Sequence, residues 1–287
     1  VDLDGGPVWL GRDRIATRLS GGAAGKISPF DPRAVRGNEV YRYVTGRARA
    51  EGEVPDSRFL DWYLRESPEP RLSGGHGRLA GSLELRGGEG SLSLALAMSG
   101  VRALYRRDAL RGDAVLDLRL SRWKPAEGAG SVAGSSFGLA DVSATGVADR
   151  AAGARDWWGK FEMRSGTLRS TGAGLELSGH AAAKCRDARP LYTLFGVGLP
   201  KWARGIAALD GLTASADVDL GPARVRVSRL DARGGSFTID GDYRKSGKES
   251  EGAFLVSDGP LSVGVEVAGG KSRLKLAGAQ KWFEGRR

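Results

Sequence analysis

The chain has 287 residues, a formal net charge of +10 and a single cysteine, Cys185. A chain of this length can bury enough surface to fold without cross-links, and one cysteine excludes an intrachain disulfide. No run of 18 apolar residues is present, so the sequence predicts no membrane-spanning helix.

The positive charge does not predict a nucleic-acid partner. Basic residues are spread along the chain, often on the polar side of predicted strands. A nucleic-acid binder is expected to gather them in a stripe with interleaved aromatic residues. The observed distribution is typical of solvated sheet faces, and it leaves an affinity for anionic lipid headgroups open.

Residues 1–70 are predicted to form a less regular segment, since they are rich in Gly and Arg and offer only short strand candidates. A short helix is predicted near residues 55–66. Asp56 or Ser57 can cap that helix at its start, and the prolines after it end it.

Residues 71–186 are predicted to be repeated β-strands, because leucines alternate with polar residues and Gly87 and Gly88 mark a hairpin turn. Strand character is expected to lapse at Val101–Arg111, as a helical turn or an irregular link. Residues 187–211 are predicted to be a helical insert, and residues 212–287 to be closing β-hairpins.

Strands recurring roughly every 8 to 14 residues predict an all-β, mainly antiparallel fold. We expect one elongated domain over residues 1–287, either a long curved sheet or an open sandwich, with an apolar interior and two or three short helices. A period of two places the aliphatic side chains on one face. The residues predicted to form that face are Leu83, Leu85, Leu92, Leu94, Leu96, Leu116, Leu118, Leu120, Phe161, Met163, Leu175, Leu177, Val225, Val227, Phe237, Ile239, Val263, Val265, Leu274 and Leu276.

Catalytic signals are poor. His76 lies in a glycine-rich turn, and neither it nor His180 has a partner at metal-binding or triad spacing. Cys185 stands beside Lys184 and Arg186, but no histidine is near in sequence, which favours a buried cysteine over a reactive one. The sequence therefore predicts no enzyme, no catalytic residue, no metal and no cofactor.

Tryptophans stand at the ends of predicted elements, with Trp157 and Trp158 opening a strand and Trp282 near the end of the chain. Two interpretations stay open. They can rim an apolar groove or contact a membrane interface, or they can plug the open ends of a β-sandwich.

The pattern that starts at Asp187 resembles a known family. It has the form Asp-x-x-Pro-Leu, then Leu199-Pro200-x-Trp202, then Leu209-x-Gly211-Leu212 leading into strands. Together with Gly241-Asp242-Tyr243-Arg244 and the turn from Gly259 to Gly264, it is similar to the C-terminal periplasmic portion of the AsmA-like family of bacterial envelope proteins, the group of AsmA, YhdP and TamB.

This resemblance implies a function without catalysis. Members usually carry an N-terminal membrane helix and a long periplasmic sheet that curls into a β-taco, a gutter whose apolar interior passes phospholipids between the inner and outer membranes. The implied partner is a phospholipid or other acyl lipid held in a hydrophobic groove. The implied location is the periplasm, with an inner-membrane anchor and membrane association supplied by parts outside this chain, and the implied process is outer-membrane biogenesis.

The same alternation also serves a sealed sandwich in which two apolar faces pack on each other. The alternative prediction is therefore a structural or assembly module of the cell envelope, a β-sandwich whose exposed strand edge recruits a partner protein.

Overall fold

The computed structural model describes residues 2–10, 13–62, 71–105, 108–145, 156–187, 211–247, 249–269 and 271–286. These residues form mostly antiparallel strands, so the prediction of an all-β, mainly antiparallel fold is confirmed. Contacts divide the chain into two compact units, Val1–Trp158 and Gly159–Arg287. The expectation of one elongated domain stays a prediction.

The first unit is an antiparallel meander. Its strands are β1 (Asp2–Leu10), β2 (Asp13–Ile27), β3 (Val44–Val54), β4 (Arg71–Ser73), β5 (His76–Arg86), β6 (Glu89–Tyr105), β7 (Asp108–Lys124), β8 (Ala129–Ser131) and β9 (Ser136–Thr145). The pairs run β1–β2, β2–β3, β3–β5, β5–β6 and β6–β7. The short β4 pairs with β6 beyond the end of β5, and β8 and β9 both pair with β7.

The prediction of a less regular segment over residues 1–70 is wrong, because β1, β2 and β3 are long, paired strands. In β3 the residues on one face are Gly46, Ala48, Ala50 and Gly52, which alternate with charged residues. This alternation has the period of two of a strand. The residues of the apolar face are so small, however, that the sequence shows no alternation of large aliphatic residues.

Two 3-10 helices interrupt the strands of the first unit, at Gly37–Tyr43 and Ser57–Trp62. The second lies where a helix is predicted near residues 55–66, and the part beyond Trp62 lies outside the described residues. Asp56 precedes it, and its Oδ1 accepts hydrogen bonds from the backbone N–H of Arg58 (2.9 Å) and of Gly74 (3.0 Å). Partial burial opposes ionisation of this carboxyl group, but the bonds from Arg58 and Gly74 hold its pKa below the usual value.

Within the region expected to be helical or irregular, Val101–Tyr105 and Asp108–Arg111 are also extended. They form the end of β6 and the start of β7, which pair through Val101↔Gly112 and Leu104↔Ala109. A bulge between Met98 and Val101 resets the register, with Gly100 at φ 69°. An αL residue in a bulge is the conformation that glycine supplies at low cost.

The second unit is a meander in which each strand pairs antiparallel with the next along the chain. Its strands are β10 (Trp157–Thr171, beginning two residues before the unit boundary), β11 (Gly174–Cys185), β12 (Leu212–Gly221), β13 (Arg224–Gly234), β14 (Phe237–Ser246), β15 (Glu249–Asp258), β16 (Leu261–Ala268) and β17 (Lys271–Lys275). The predicted closing strands are therefore present. A short helix that the sequence did not predict, α1 (Ala279–Glu284), follows β17. The predicted helical insert falls mostly on residues 188–210, outside the described residues.

A bulge of the same kind occurs in both units. Gly100 donates its backbone N–H to Asp113 Oδ1 at 2.9 Å, and Arg229, at φ 53°, donates its N–H to Asp242 Oδ1 at 3.0 Å. In both cases the carboxylate lies 13 residues further on, in the following strand. Each aspartate thus satisfies the amide that the bulge removes from the strand ladder.

Candidate functional site

One face of the first unit is apolar across β3, β5, β6 and β7. Leu92 lies between Leu83 on one side and Leu120 on the other, with Ala48 of β3 beyond Leu83. Three further rows continue this face: Ala50, Gly81, Leu94 and Leu118; then Gly52, Leu79, Leu96, Leu116 and Phe137; then Val54, Gly77, Met98, Ala114 and Leu139.

The two ends of this face are covered more completely than its middle. Leu96 and Met98 are buried in a cluster with Val54 and with Phe59 of the second 3-10 helix. Leu85 and Leu120, towards the other end, are also buried. Between these ends the large side chains are only half-buried: Leu83, Leu92, Leu94 and Leu118. The middle of the face is therefore an apolar surface that the described part of the unit does not seal.

The second unit repeats this arrangement over a wider sheet. A single row crosses seven strands with apolar residues only: Phe161, Ala183, Ala214, Ala232, Ile239, Val256 and Val263. Neighbouring rows on the same face contain Leu168, Leu177, Leu220 and Val225, and Leu230, Gly241, Phe254, Val265 and Leu274. The apolar residues of neighbouring strands therefore adjoin and form one continuous apolar face.

From β11 to β17 the fully buried positions on this second face are small residues and Cys185, whereas the large aliphatic residues remain accessible. Ala216 and Ala232 are buried, as are Gly234 and Gly241. Val225, Val227, Ile239, Val263 and Val265 are half-buried, and Leu175 has an exposed fraction of 59%. A sealed core shows the reverse pattern, because large side chains gain most from burial.

The helix α1 does not cover this face. Its Trp282 lies against Gly264, whose partners Leu255 and Lys275 point to the opposite, polar side of the sheet. In the described part of the second unit, no helix lies on the apolar face.

The structure brings the predicted apolar residues together in two groups. Those of β5, β6 and β7 share the face of the first unit, and those of β10, β11, β13, β14, β16 and β17 share the face of the second. Leu276 lies one residue beyond β17 and is exposed. Sequence reasoning missed members of both faces, namely Ala48, Ala50, Leu79, Leu139, Leu168, Val218, Leu220, Leu230, Phe254 and Val256. These residues also alternate with polar residues along their strands, but glycine, alanine and bulges interrupt the alternation.

The polar faces carry ion pairs formed within strands and between neighbouring strands. Arg119 pairs with Asp117 at 2.8 Å and Arg233 with Asp231 at 3.0 Å. The hydrogen bond and charge of Asp117 raise the pKa of Arg119, and those of Arg233 lower the pKa of Asp231. These pairs are exposed, so they contribute little to stability and mainly keep this side of the sheet solvated.

A shallow depression of about 500 Å³ lies on the polar face of the first unit. Ser82 and Ser93 share a 2.8 Å hydrogen bond at its floor, and Asp117 neutralises Arg119 at its side. These four polar side chains of the lining therefore already satisfy one another.

His180 has a partner that sequence spacing could not reveal. Its Nδ1 lies 3.0 Å from Oδ1 of Asp217, 37 residues away, and Arg229 binds the other carboxylate oxygen. Hydrogen bonds from His180 and Arg229 lower the pKa of Asp217. The described residues contain no group of three side chains that could hold a metal ion.

Cys185 is buried at the end of β11, in agreement with the interpretation from sequence. Burial, followed by the negative charge of Asp187, raises the pKa of its thiol to about 11. A thiol in this state is not an effective nucleophile near neutral pH.

The tryptophans do not share one role. Trp157 is buried, Trp158 has an exposed fraction of 44%, and Trp282 lies on the polar face against Gly264. Trp202 lies outside the described residues. Trp158 and Trp282 therefore lie away from the apolar faces.

No protein-family model, curated protein or solved structure matches the chain. Among the helices in the described ranges, none has the length and apolar character needed to cross a membrane.

Proposed function

We propose that the apolar faces of the two units bind the acyl chains of a phospholipid or another acyl lipid. In this proposal the protein is a periplasmic, AsmA-like component of a bacterial envelope that takes part in phospholipid transport between the inner and outer membranes. The observation that carries the proposal is the accessibility of the large aliphatic residues. In the middle of the first face and across the second face they are half-buried or exposed.

The chemistry of such a face suits an acyl chain. A hydrocarbon chain needs a surface that excludes water and makes no hydrogen-bond demand, and the rows around Leu94 and Val265 supply this. Each CH₂ group removed from water contributes about 0.8 kcal/mol, so a partly covered chain of about a dozen carbons gains several kcal/mol. The charged opposite faces keep the sheets solvated while the apolar faces are occupied.

The test uses the cross-strand neighbours Leu94 and Leu118 at the half-buried centre of the first face. We expect native mass spectrometry of the purified chain to detect co-purified phospholipid. We expect Leu94→Asp and Leu118→Asp to lose that lipid while thermal unfolding stays cooperative. Ala95→Asp is the matched control, because Ala95 is the next residue of the same strand and is exposed on the polar face.

Two results would contradict the proposal. A lipid-free wild-type chain would favour the alternative function, an envelope assembly module that recruits a protein partner through a strand edge. Unfolding of both aspartate variants, with Ala95→Asp unaffected, would indicate that the face is a sealed core.

A further inference from the structure

We propose that the edge of the second unit formed by β17 binds the surface of an anionic lipid bilayer. The β17 patch consists of three basic residues, Lys271, Arg273 and Lys275, and three leucines, Leu261, Leu274 and Leu276. The proposal goes beyond acyl-chain binding by the sheet faces and does not depend on it.

The leucines of the β17 patch are the most accessible aliphatic residues at this end of the sheet. Leu261 and Leu276 each have an exposed fraction of 72%, and Leu274 has 39%. Within its unit β17 is the last strand, and its described pairing is with β16 alone. These side chains therefore stand at an open edge of the apolar face, where a flat apolar phase can reach them.

The basic residues of the β17 patch point to the opposite face of the same strand. The register places Lys275 opposite Gly264, Arg273 opposite Glu266 and Lys271 opposite Ala268. Glu266 is the one carboxylate directly across from this row. It forms an ion pair with Arg286 at 2.7 Å, and its side chain has an exposed fraction of only 17%.

The basic side chains of the β17 patch form no ion pair with a described residue. The ion pairs between described residues include neither Lys271, Arg273 nor Lys275, and all three are at least partly exposed. A strand with leucines on one face and long basic side chains on the other has the amphipathic character of an interfacial segment. The leucines enter the acyl boundary while the basic side chains extend to the phosphates.

The leucines decide between a lipid surface and a nucleic acid. Both offer phosphates to the basic row, but a phosphate backbone gives no reward to exposed leucines. The aromatic side chain beside the row, Trp282, already packs against Gly264 and Arg286. An anionic bilayer can contact both the leucines, through its acyl chains, and the basic residues, through its phosphates.

The test measures flotation of the full chain with vesicles of phosphatidylcholine containing about one third phosphatidylglycerol, and with vesicles of phosphatidylcholine alone. We expect binding to the anionic vesicles that weakens between about 0.05 and about 0.5 M salt, because salt screens exposed charges. Lys271→Gln/Arg273→Gln/Lys275→Gln should weaken it roughly a hundredfold, at roughly fivefold per basic residue. Leu274→Ser/Leu276→Ser should weaken it by roughly tenfold or more.

The matched control removes the same charge elsewhere. Arg47, Arg49 and Arg78 are exposed on the polar face of the first unit, away from exposed leucines. We expect Arg47→Gln/Arg49→Gln/Arg78→Gln to bind the anionic vesicles within about threefold of wild type, because long-range attraction is screened.

Three results would overturn the proposal: equal loss in the control triple variant, equal binding to both kinds of vesicle, or binding to duplex DNA that needs the basic residues but not the leucines. Co-purified lipid is measured in the same variants. If the wild-type chain carries co-purified lipid but does not bind vesicles, membrane docking is refuted and the acyl-chain proposal stands. If the wild-type chain binds vesicles but carries no co-purified lipid, only the acyl-chain proposal is refuted.

Discussion

Trp282 of α1 lies directly over Gly264 of β16, and a β-carbon at Gly264 would stand 2.6 Å from two carbons of the indole ring. Hydrogen is thus the one side chain that permits this contact. Arg286 completes the arrangement, because its guanidinium lies 5.3 Å from the centre of the indole ring and pairs with Glu266. The helix is thereby fixed to the polar face, and the apolar face of the same strands stays uncovered by it.

We expect Gly264→Ala to release α1 from the sheet. The methyl group overlaps the indole ring, and overpacking of this kind costs about 1–3 kcal/mol. Hydrogen exchange over residues 279–286 should accelerate while exchange in β15 and β16 changes little. Gly172→Ala is the control, since nothing lies within 4 Å of a β-carbon there. Unchanged protection of α1 in Gly264→Ala would show that Trp282 does not anchor the helix.

The two bulge carboxylates should differ in their contribution to stability. Asp113 binds the Gly100 amide in a partly buried bond and Asp242 binds the Arg229 amide in an exposed one. Water can replace the carboxylate of Asp242 as a hydrogen-bond acceptor more easily than that of Asp113, because the bond of Asp242 is exposed. We expect Asp113→Ala to lower the free energy of unfolding by about 1–3 kcal/mol and Asp242→Ala by about 0.5–1.5 kcal/mol.

Urea unfolding of the full chain measures both effects, with Asp258→Ala, at the end of β15, as the reference aspartate. Equal losses in the three variants would mean that the bulge bonds have no special role.

The fold class was predictable because its signal is local. Alternation in β6, from Leu92 to Met98, needs no tertiary information, and the same is true of Val263, Val265 and Val267 in β16. The strands that the sequence analysis did not predict were missed for a physical reason. In β3 the inward positions are glycine and alanine, which lie opposite the large residues Leu79 and Leu83 of β5. Packing of small against large residues belongs to the pair of strands and cannot be read from one of them.

The polar partners were not predictable, because they depend on register. His180 meets Asp217 through the pairing of β11 with β12, and each residue alone has no distinctive spacing. Bulges also shift the register of β12 with β13 by one residue between Ser215 and Asp217, and that of β13 with β14 by one residue between Val227 and Leu230. The arginine at φ 53° in the second bulge gave no glycine signal at all.

Acid should remove the contribution of Asp217 to stability. Hydrogen bonds from His180 and Arg229 lower its pKa from 3.8, so the unfolded state binds more protons in the window just below that value. The contribution is therefore present above pH 3.8 and is lost as the pH falls through the lower, folded-state pKa. We expect Asp217→Asn to lower the Tm at pH 7 and to match wild type more closely at about pH 2. A difference in Tm that stays constant with pH would exclude the ionised pair as its cause.

Cys185 provides a prediction at the opposite end of the pH scale. Burial and then Asp187 raise the pKa of its thiol from 9.0 to about 11, so the fold favours the neutral form. The resulting contribution to stability is fully present below pH 9.0 and is lost as the pH rises through about 11. We expect Cys185→Ala to show a smaller decline in stability across that window.

Thiol labelling tests the same residue directly, because the chain has one cysteine. At about pH 8 the shift in pKa leaves roughly a hundredfold less thiolate in the folded chain than in the chain unfolded in urea, and burial slows access further. We expect labelling of the folded chain to be at least that much slower, and to accelerate roughly tenfold per pH unit towards pH 11 as thiolate forms. Equal rates in the folded and unfolded chains would show that the end of β11 is open to solvent.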